Sequence, residues 1–191
     1  MEDLRRRIRQ EGRNLGQGIL KIDSVINHQV DATLMLEAGA EFAKRFAKTH
    51  PTRVLTAEVS GIIPAMATAY AMGLPLVYAR KHKPVTMMDP VFVEFAPSHT
   101  KGGEVSLMVS PEFLHSGDRV LIIDDFLATG KTIAAMARIV ESAEAMVVGI
   151  GTLVEKSFEK GREALADLDV PIVSLVIIEE MREDGTIIFA N

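Results

Sequence analysis

The chain has 191 residues, of which 48% are apolar, 25% charged and 5% aromatic. That fits one globular domain with a sizeable core and excludes disordered, collagen-like and coiled-coil classes. The 21 basic residues against 26 acidic give a formal charge of -5, which argues against sequence-independent nucleic-acid binding as the main activity. Cysteine is absent, so disulfides, thiolate nucleophiles and cysteine-ligated zinc drop out together, and a reducing cytoplasmic setting is expected.

Met1 to Arg9 is charged and has no apolar signal core. Residues 1–30 and 156–191 have a mixed pattern and are expected to combine into a small hood on a single domain spanning 1–191. Asp31 is a good N-cap for a helix over Ala32–Lys48, whose Leu34, Ala38, Phe42 and Phe46 share one face. Short Val-, Ile- and Leu-rich runs follow at Arg53–Val59, Pro75–Arg80, Arg119–Asp125, Met146–Val154 and Ile172–Ile177, with helical patterns at Ile63–Met72 and Thr132–Ser142. This is the rhythm of a parallel sheet covered on both faces.

Ile62 to Ala79 carries no charge over a length near that of a membrane span. Pro64, Gly73 and Pro75 punctuate it, so a buried helix, a turn and a buried strand are predicted instead, and no membrane partner. Val91–Phe95 and Glu104–Val109 read as strands joined through Ser98–Gly103, a hairpin expected to stand as a flexible excursion from the sheet.

The window that carries chemistry is Arg119–Thr132, RVLIIDDFLATGKT. A buried run ends in two carboxylates, and a loop of small residues then opens a helix. Ligands of open α/β sheets sit outside the carboxyl ends of the strands. Ala128, Thr129, Gly130, Lys131 and Thr132 would offer backbone N–H groups and a helix N-terminus to a phosphate. The nucleotide-triphosphate loop G-x-x-x-x-G-K-[ST] nearly matches Asp125–Thr132, but Asp125 stands where its first glycine belongs and would repel a polyphosphate. Two acids beside a phosphate cradle suit a sugar phosphate, because carboxylates accept bonds from both ribose hydroxyls.

An apolar strand, two acids, two apolar residues and a T-G-x-T loop resemble the phosphoribosyl-pyrophosphate (PRPP) motif of the type I phosphoribosyltransferases. LKIDSVINHQVD (Leu20–Asp31), EVSGIIPA (Glu58–Ala65), YARKHKPVT (Tyr78–Thr86) and GTLVEKSFEKGR (Gly151–Arg162) extend the resemblance over nearly the whole chain. It implies an α/β fold with a central parallel sheet flanked by helices, a flexible hairpin loop and a small hood. It also implies Mg²⁺ bound mainly with PRPP or pyrophosphate, and a homodimer.

Roles follow residue by residue from that resemblance. Asp124 and Asp125 are expected to be catalytic, gripping the ribose hydroxyls, while Ala128–Thr132 bind the 5′-phosphate. Glu58, Ser60 and Gly61 form a turn for the leaving pyrophosphate, although a strand-to-helix turn capped by Ser60 has the same pattern. Arg80, Lys81 and Lys83 concentrate positive charge where a lid would neutralise pyrophosphate, and the same run would serve a solvated face. Leu20, Asn27, Lys156 and Phe158 are the expected base contacts. Lysine has donors only, so at Lys156 it would favour an oxopurine.

Ala128 stands where hypoxanthine-guanine members carry an aspartate thought to handle the N7 proton. Xanthine is a more acidic purine and needs less help, so xanthine is the expected base. An adenine or other purine transferase, and a PRPP-binding purine-responsive regulator on the same fold, are the alternatives. The regulator needs a DNA-binding domain for which the residues before the first core strand leave little room. The histidines show no metal-ligand spacing.

Overall fold

β-Branched residues and leucines form continuous buried runs in the centre of a sheet covered on both faces. In the computed structural model, which describes residues 1–97 and 103–190, such runs pair as one sheet. Its strands are β3 (Arg53–Ala57), β4 (Leu76–Ala79), β7 (Arg119–Leu127), β8 (Met146–Lys156), β9 (Ile172–Met181) and β10 (Ile187–Phe189), in the spatial order β10-β9-β8-β7-β3-β4. Only β10 runs antiparallel to its neighbour. The chain leaves β3 toward β4 and returns to the other side of β3 as β7. The sheet order therefore reverses between β3 and β7, and a crevice opens at their carboxyl ends.

Two apolar layers hold the sheet. On one face α2 (Ala32–Phe46) and α3 (Ile62–Met72) pack with Val54, Leu121, Ile123, Leu153 and Val176. The α2 N-cap is as predicted: the Asp31 carboxylate accepts from the Leu34 N–H at 3.1 Å. The Phe42 and Phe46 rings need the two glycines of β8. A Cβ at Gly149 would lie 2.7 Å from the Phe46 ring, and one at Gly151 would lie 2.9 Å from the Phe42 ring. On the other face Ile133, Met136, Ile139 and Val140 of α4 (Lys131–Ser142) cover Leu55, Val120 and Ile122.

The membrane-like stretch resolves into α3, a left-handed Gly73 (φ 66°) and β4. Among the described residues no helix is long and apolar enough to cross a membrane. The hairpin forms from β5 (Phe92–Pro97) and β6 (Glu104–Val109). Its base is packed rather than free. Ala96, Leu107 and Val109 are buried against α4, Arg138 Nε lies 2.8 Å from Glu94, and Met108 pairs with Arg80 beyond the end of β4. The connection through residues 98–102 lies outside the described residues.

Several strands extend past their sequence limits, β5 to Pro97 and β8 to Lys156 among them. β7 continues two residues beyond Asp125, so the acid pair lies within a ladder in which Asp124 faces Thr152 and Phe126 faces Val154. β9 likewise runs to Met181, because β10 gives its end a partner. The hood consists of α1 (Glu2–Glu11), the short pair β1 (Arg13–Asn14) and β2 (Leu20–Lys21), a wide π-type turn at Asp23–Asn27, and β10. Leu4 and Ile8 are buried with Leu175 and Ile178, while Arg5 lies 5.3 Å from the centre of the Phe189 ring. Within the 156–191 segment, Ile172–Met181 is therefore β9 of the main sheet, and the turn and β10 that follow return toward α1.

Phe42→Ala should lower the unfolding free energy by about 3–5 kcal/mol, because the slot over Gly151 cannot close on the void. Denaturant unfolding measures it, and a loss under about 1 kcal/mol would contradict this packing.

Candidate active site

A cavity of about 670 Å³ opens at the carboxyl ends of β3 and β7, between the sheet, the hairpin and the hood. Four segments line it: Ala57–Gly61 after β3, Asp124–Phe126, Ala128–Ile133, and Lys156 with Glu159 after β8. Gln17–Leu20 and Asn27 cover it from the hood, and Ala96, Val105 and Leu107 flank it from the hairpin.

The turn after β7 is built for an anion. Gly130 caps α4 in the left-handed region (φ 77°), and no side chain caps this helix, so the first-turn amides are available to a ligand. The Thr129 hydroxyl is buried with no hydrogen-bond partner among the described residues. A buried hydroxyl seeks a partner, and phosphate oxygens facing this turn would supply one.

The acid pair is tightly held. The Asp124 carboxylate is buried and accepts the Asp125 N–H at 3.0 Å, while Asp125 accepts the Phe126 N–H at 3.0 Å. Burial pushes Asp124 well above the ordinary carboxylate range, and the neighbouring Asp125 charge pushes it further. Burial raises Asp125 as well, opposed by hydrogen bonds from Asp124, Phe126 and Ser60. Both shifts disfavour two ionised carboxylates side by side in this site. Hydroxyl donors or a cation entering the cavity would favour the ionised forms and meet two acceptors.

Backbone closeness fixes the opposite wall. A Cβ on Gly61 would collide with the Asp124 carboxylate and the Thr56 hydroxyl, so only glycine lets the β3 turn pass over the acid pair. The Glu58–Val59 peptide is cis. The Glu58 carboxylate accepts the Lys81 N–H at 2.5 Å and lies 2.8 Å from Arg80 Nε. Its side chain therefore holds the Arg80–Lys81 segment, and what faces the cavity from this turn is backbone and Ser60.

Of the residues singled out in the sequence, Leu20, Asn27, Glu58, Ser60, Gly61, Lys81, Asp124, Asp125, Lys156 and the loop Ala128–Thr132 all line this cavity. Arg80, Lys83 and Phe158 do not. Arg80 is engaged by Glu58, with its guanidinium 5.7 Å from the centre of the Tyr78 ring, and Lys83 pairs with Asp89 at 2.5 Å. Phe158 lies on the short turn after β8, where its ring lies near Gly18 but does not line the cavity. The apolar ring within the cavity is Phe126, over which Lys156 Nζ sits at 5.9 Å. Phe126 and Glu159 went unnoticed in the sequence although both stand inside quoted motifs. Gln17, Gly18 and Ile19 carried no signal in the sequence.

Lys156 Nζ donates to the Gly18 carbonyl at 2.8 Å and pairs with Glu159 at 2.5 Å. An ammonium has three donors, so one remains for a ligand acceptor.

Among the described residues no group of three or more His, Asp or Glu is placed to cage a metal. The acid pair fits Mg²⁺ in the manner of ions carried by one or two carboxylates plus substrate phosphates.

The acid pair and the turn with free amides stand together at the switch point of a parallel sheet, where ligands of such sheets bind. The phosphoribosyl transferase domain matches residues 29–182, and the chain belongs to that family. It is 50% identical to the xanthine phosphoribosyltransferase of Deinococcus deserti over 181 residues, covering 95% of this chain and 94% of the relative. The enzyme of that name from Moorella thermoacetica is 44% identical over 191 residues, with 100% and 97% covered. Among solved structures, adenine phosphoribosyltransferase from Thermoanaerobacter pseudethanolicus superposes with a TM-score of 0.76 at 28% identity, covering 92% of this chain and 98% of that one. The Trypanosoma brucei adenine enzyme, solved with AMP, pyrophosphate and ribose-5-phosphate, shares the fold at a TM-score of 0.75 and 19% identity, with 91% and 79% covered.

A carboxyl whose folded pKa is raised destabilises the fold wherever the unfolded chain would ionise it. Asp124→Asn should therefore stabilise the ligand-free protein at pH 7 by about 1 kcal/mol or more, roughly 2–4 °C in Tm per kcal/mol. The gain is full above the raised pKa, shrinks as pH falls toward the ordinary carboxylate range, and vanishes below it, where both states are protonated. Calorimetric melts across pH check this; a variant less stable than wild type at neutral pH would contradict it.

Proposed function

We propose that this chain is a purine-salvage enzyme that transfers the phosphoribosyl group of PRPP to xanthine, releasing xanthosine 5′-monophosphate and pyrophosphate. The observation that carries the reading is one cavity holding the phosphate turn, the acid pair and, across from them, a lysine with a donor to spare. Relatives named for this activity match the chain almost end to end. The adenine enzymes share the fold, but a ligand in this cavity faces Lys156, which has no acceptor for an exocyclic amine.

In this reading the amides of Ala128–Thr132 and the Thr129 hydroxyl anchor the 5′-phosphate. Asp124 and Asp125 then accept from the ribose hydroxyls. Ionised, they favour positive charge developing on the sugar as the bond from C1′ to pyrophosphate breaks. The electron pair leaves with pyrophosphate, whose oxygens face Ser60, the Gly61 backbone and Lys81. The base nitrogen bonds to C1′ and its proton passes to water. Glu58 acts through Arg80 and Lys81 by holding the Arg80 guanidinium and the Lys81 N–H. Asn27 and Leu20 bear on the base from the hood, with Phe126 as an apolar surface beside it. Magnesium, when bound with the donor, neutralises charge on the departing diphosphate, and Asp124 and Asp125 are the residues that would help hold it. A cytoplasmic homodimer completes the proposal.

PRPP-dependent nucleotide formation with xanthine, guanine, hypoxanthine and adenine tests this directly. Xanthine should give the highest kcat/KM; a preference for adenine would overturn the reading. Lys156→Ala should lower kcat/KM for xanthine by about tenfold or more, by loss of a charge-assisted hydrogen bond, while KM for PRPP changes little. Unchanged discrimination against adenine in that variant would remove Lys156 from base recognition.

A further inference from the structure

Side chains alternate at the end of β8. Lys156 enters the cavity, and Glu155, 3% exposed, points away from it. Glu155 is fully engaged. Its carboxylate accepts Arg162 Nε at 3.1 Å, Arg162 Nη2 at 2.5 Å and the Ser174 hydroxyl at 2.5 Å. Arg162 Nη1 donates to the Ile172 carbonyl at 2.8 Å, and the buried Thr152 hydroxyl lies 3.1 Å from that of Ser174. The network ties β8, β9 and the short helix α5 (Gly161–Ala164) into one unit.

Burying a carboxylate is expensive, and a close-packed apolar pair would hold two strands at least as well. What a bidentate guanidinium adds is orientation, since its planar fork fixes both partners in one geometry. The backbone it fixes lies under the phosphate turn. A Cβ on Gly161, adjacent to Arg162, would collide with the Ala128 carbonyl and lie 2.9 Å from the Gly130 nitrogen. A Cβ on Gly130 would in turn lie 2.8 Å from the Gly161 carbonyl. Gly161 is thus the floor on which the turn rests. A helix of four residues cannot hold that floor by itself.

We propose that Glu155 and Arg162 are positioning residues for the 5′-phosphate turn: the ion pair presses Gly161 against Ala128–Gly130 and so sets the amides that meet the sugar phosphate. The inference rests on the phosphoribosyl reading of that turn and assigns a function to residues that touch no substrate. It predicts a split between the two ends of PRPP, because the pyrophosphate side is built from β3 and Lys81 and shares none of these contacts.

Calorimetric titration of ribose 5-phosphate and of pyrophosphate, separately and with Mg²⁺, tests it on wild type, Arg162→Ala, Arg162→Lys and Glu155→Gln. Arg162→Ala should weaken ribose 5-phosphate by about tenfold or more while pyrophosphate changes by less than about twofold. Arg162→Lys keeps the charge but loses the fork, and should fall between Arg162→Ala and wild type. Glu155→Gln should show the same selective loss. In turnover, KM for PRPP should rise while KM for xanthine holds. Equal losses on both ligands, or unchanged ribose 5-phosphate affinity, would overturn the clamp. Should Arg162→Ala not fold, the two milder variants carry the same comparison. Failure of the phosphoribosyl reading shows instead in wild type, as pyrophosphate binding without ribose 5-phosphate binding.

Discussion

Two carboxylates side by side in the central ladder of a sheet are an unstable arrangement, and much of the surrounding structure accommodates them. Ionised together in a buried cavity, Asp124 and Asp125 would repel each other and lack water. The protein answers with backbone donors from Asp125 and Phe126 and a glycine at position 61 that lets the β3 turn approach. The residual cost falls on the ligand-free state. A ligand that brings hydroxyl donors and positive charge relieves it, so part of the binding energy is stored in the fold before the ligand arrives. That is the expected conflict between stability and activity at a preorganised site.

Close backbone approach is the second recurring device. Gly61 lies over the acids, Gly130 and Gly161 touch each other, and Gly149 and Gly151 admit the Phe46 and Phe42 rings. At each, a side chain would meet a neighbour closer than ordinary contact allows. The first three set where amides and carboxylates stand, and the last two set how α2 lies on the sheet. A sequence search for chemistry notices acids and lysines, yet here the glycines fix the distances between them.

The strands and both helical layers were legible from apolar periodicity, because that signal is local, whereas the strand order was not, and the cavity residues were named through the family motifs. The readings that shifted depended on partners distant in sequence. β7 continues past Asp125 because β8 pairs with it, which no pattern within residues 119–132 reveals. The charge run and the resemblance both suggest Arg80 as a pyrophosphate ligand, and in the structure Glu58 engages its guanidinium. Phe158 is an expected base contact only through the resemblance. The short turn after β8 carries it out of the cavity, and Phe126, hidden within the PRPP motif, stands there instead.

The end of β8 joins these threads. Successive residues of a strand face opposite ways, so Lys156 and Glu155 serve opposite sides of one backbone. Lys156 reaches the hood through Gly18 and pairs with Glu159, while Glu155 reaches α5 through Arg162 and thereby the floor of the phosphate turn. A shift of this strand end by a fraction of an ångström would move together the ammonium and the amides to which the proposed reaction assigns base and phosphate. The transfer requires base and sugar phosphate to be held at a fixed separation across C1′. Placing both supports on one strand end, braced by β7 on one side and β9 on the other, fixes that separation through hydrogen-bonded backbone rather than through two independent loops.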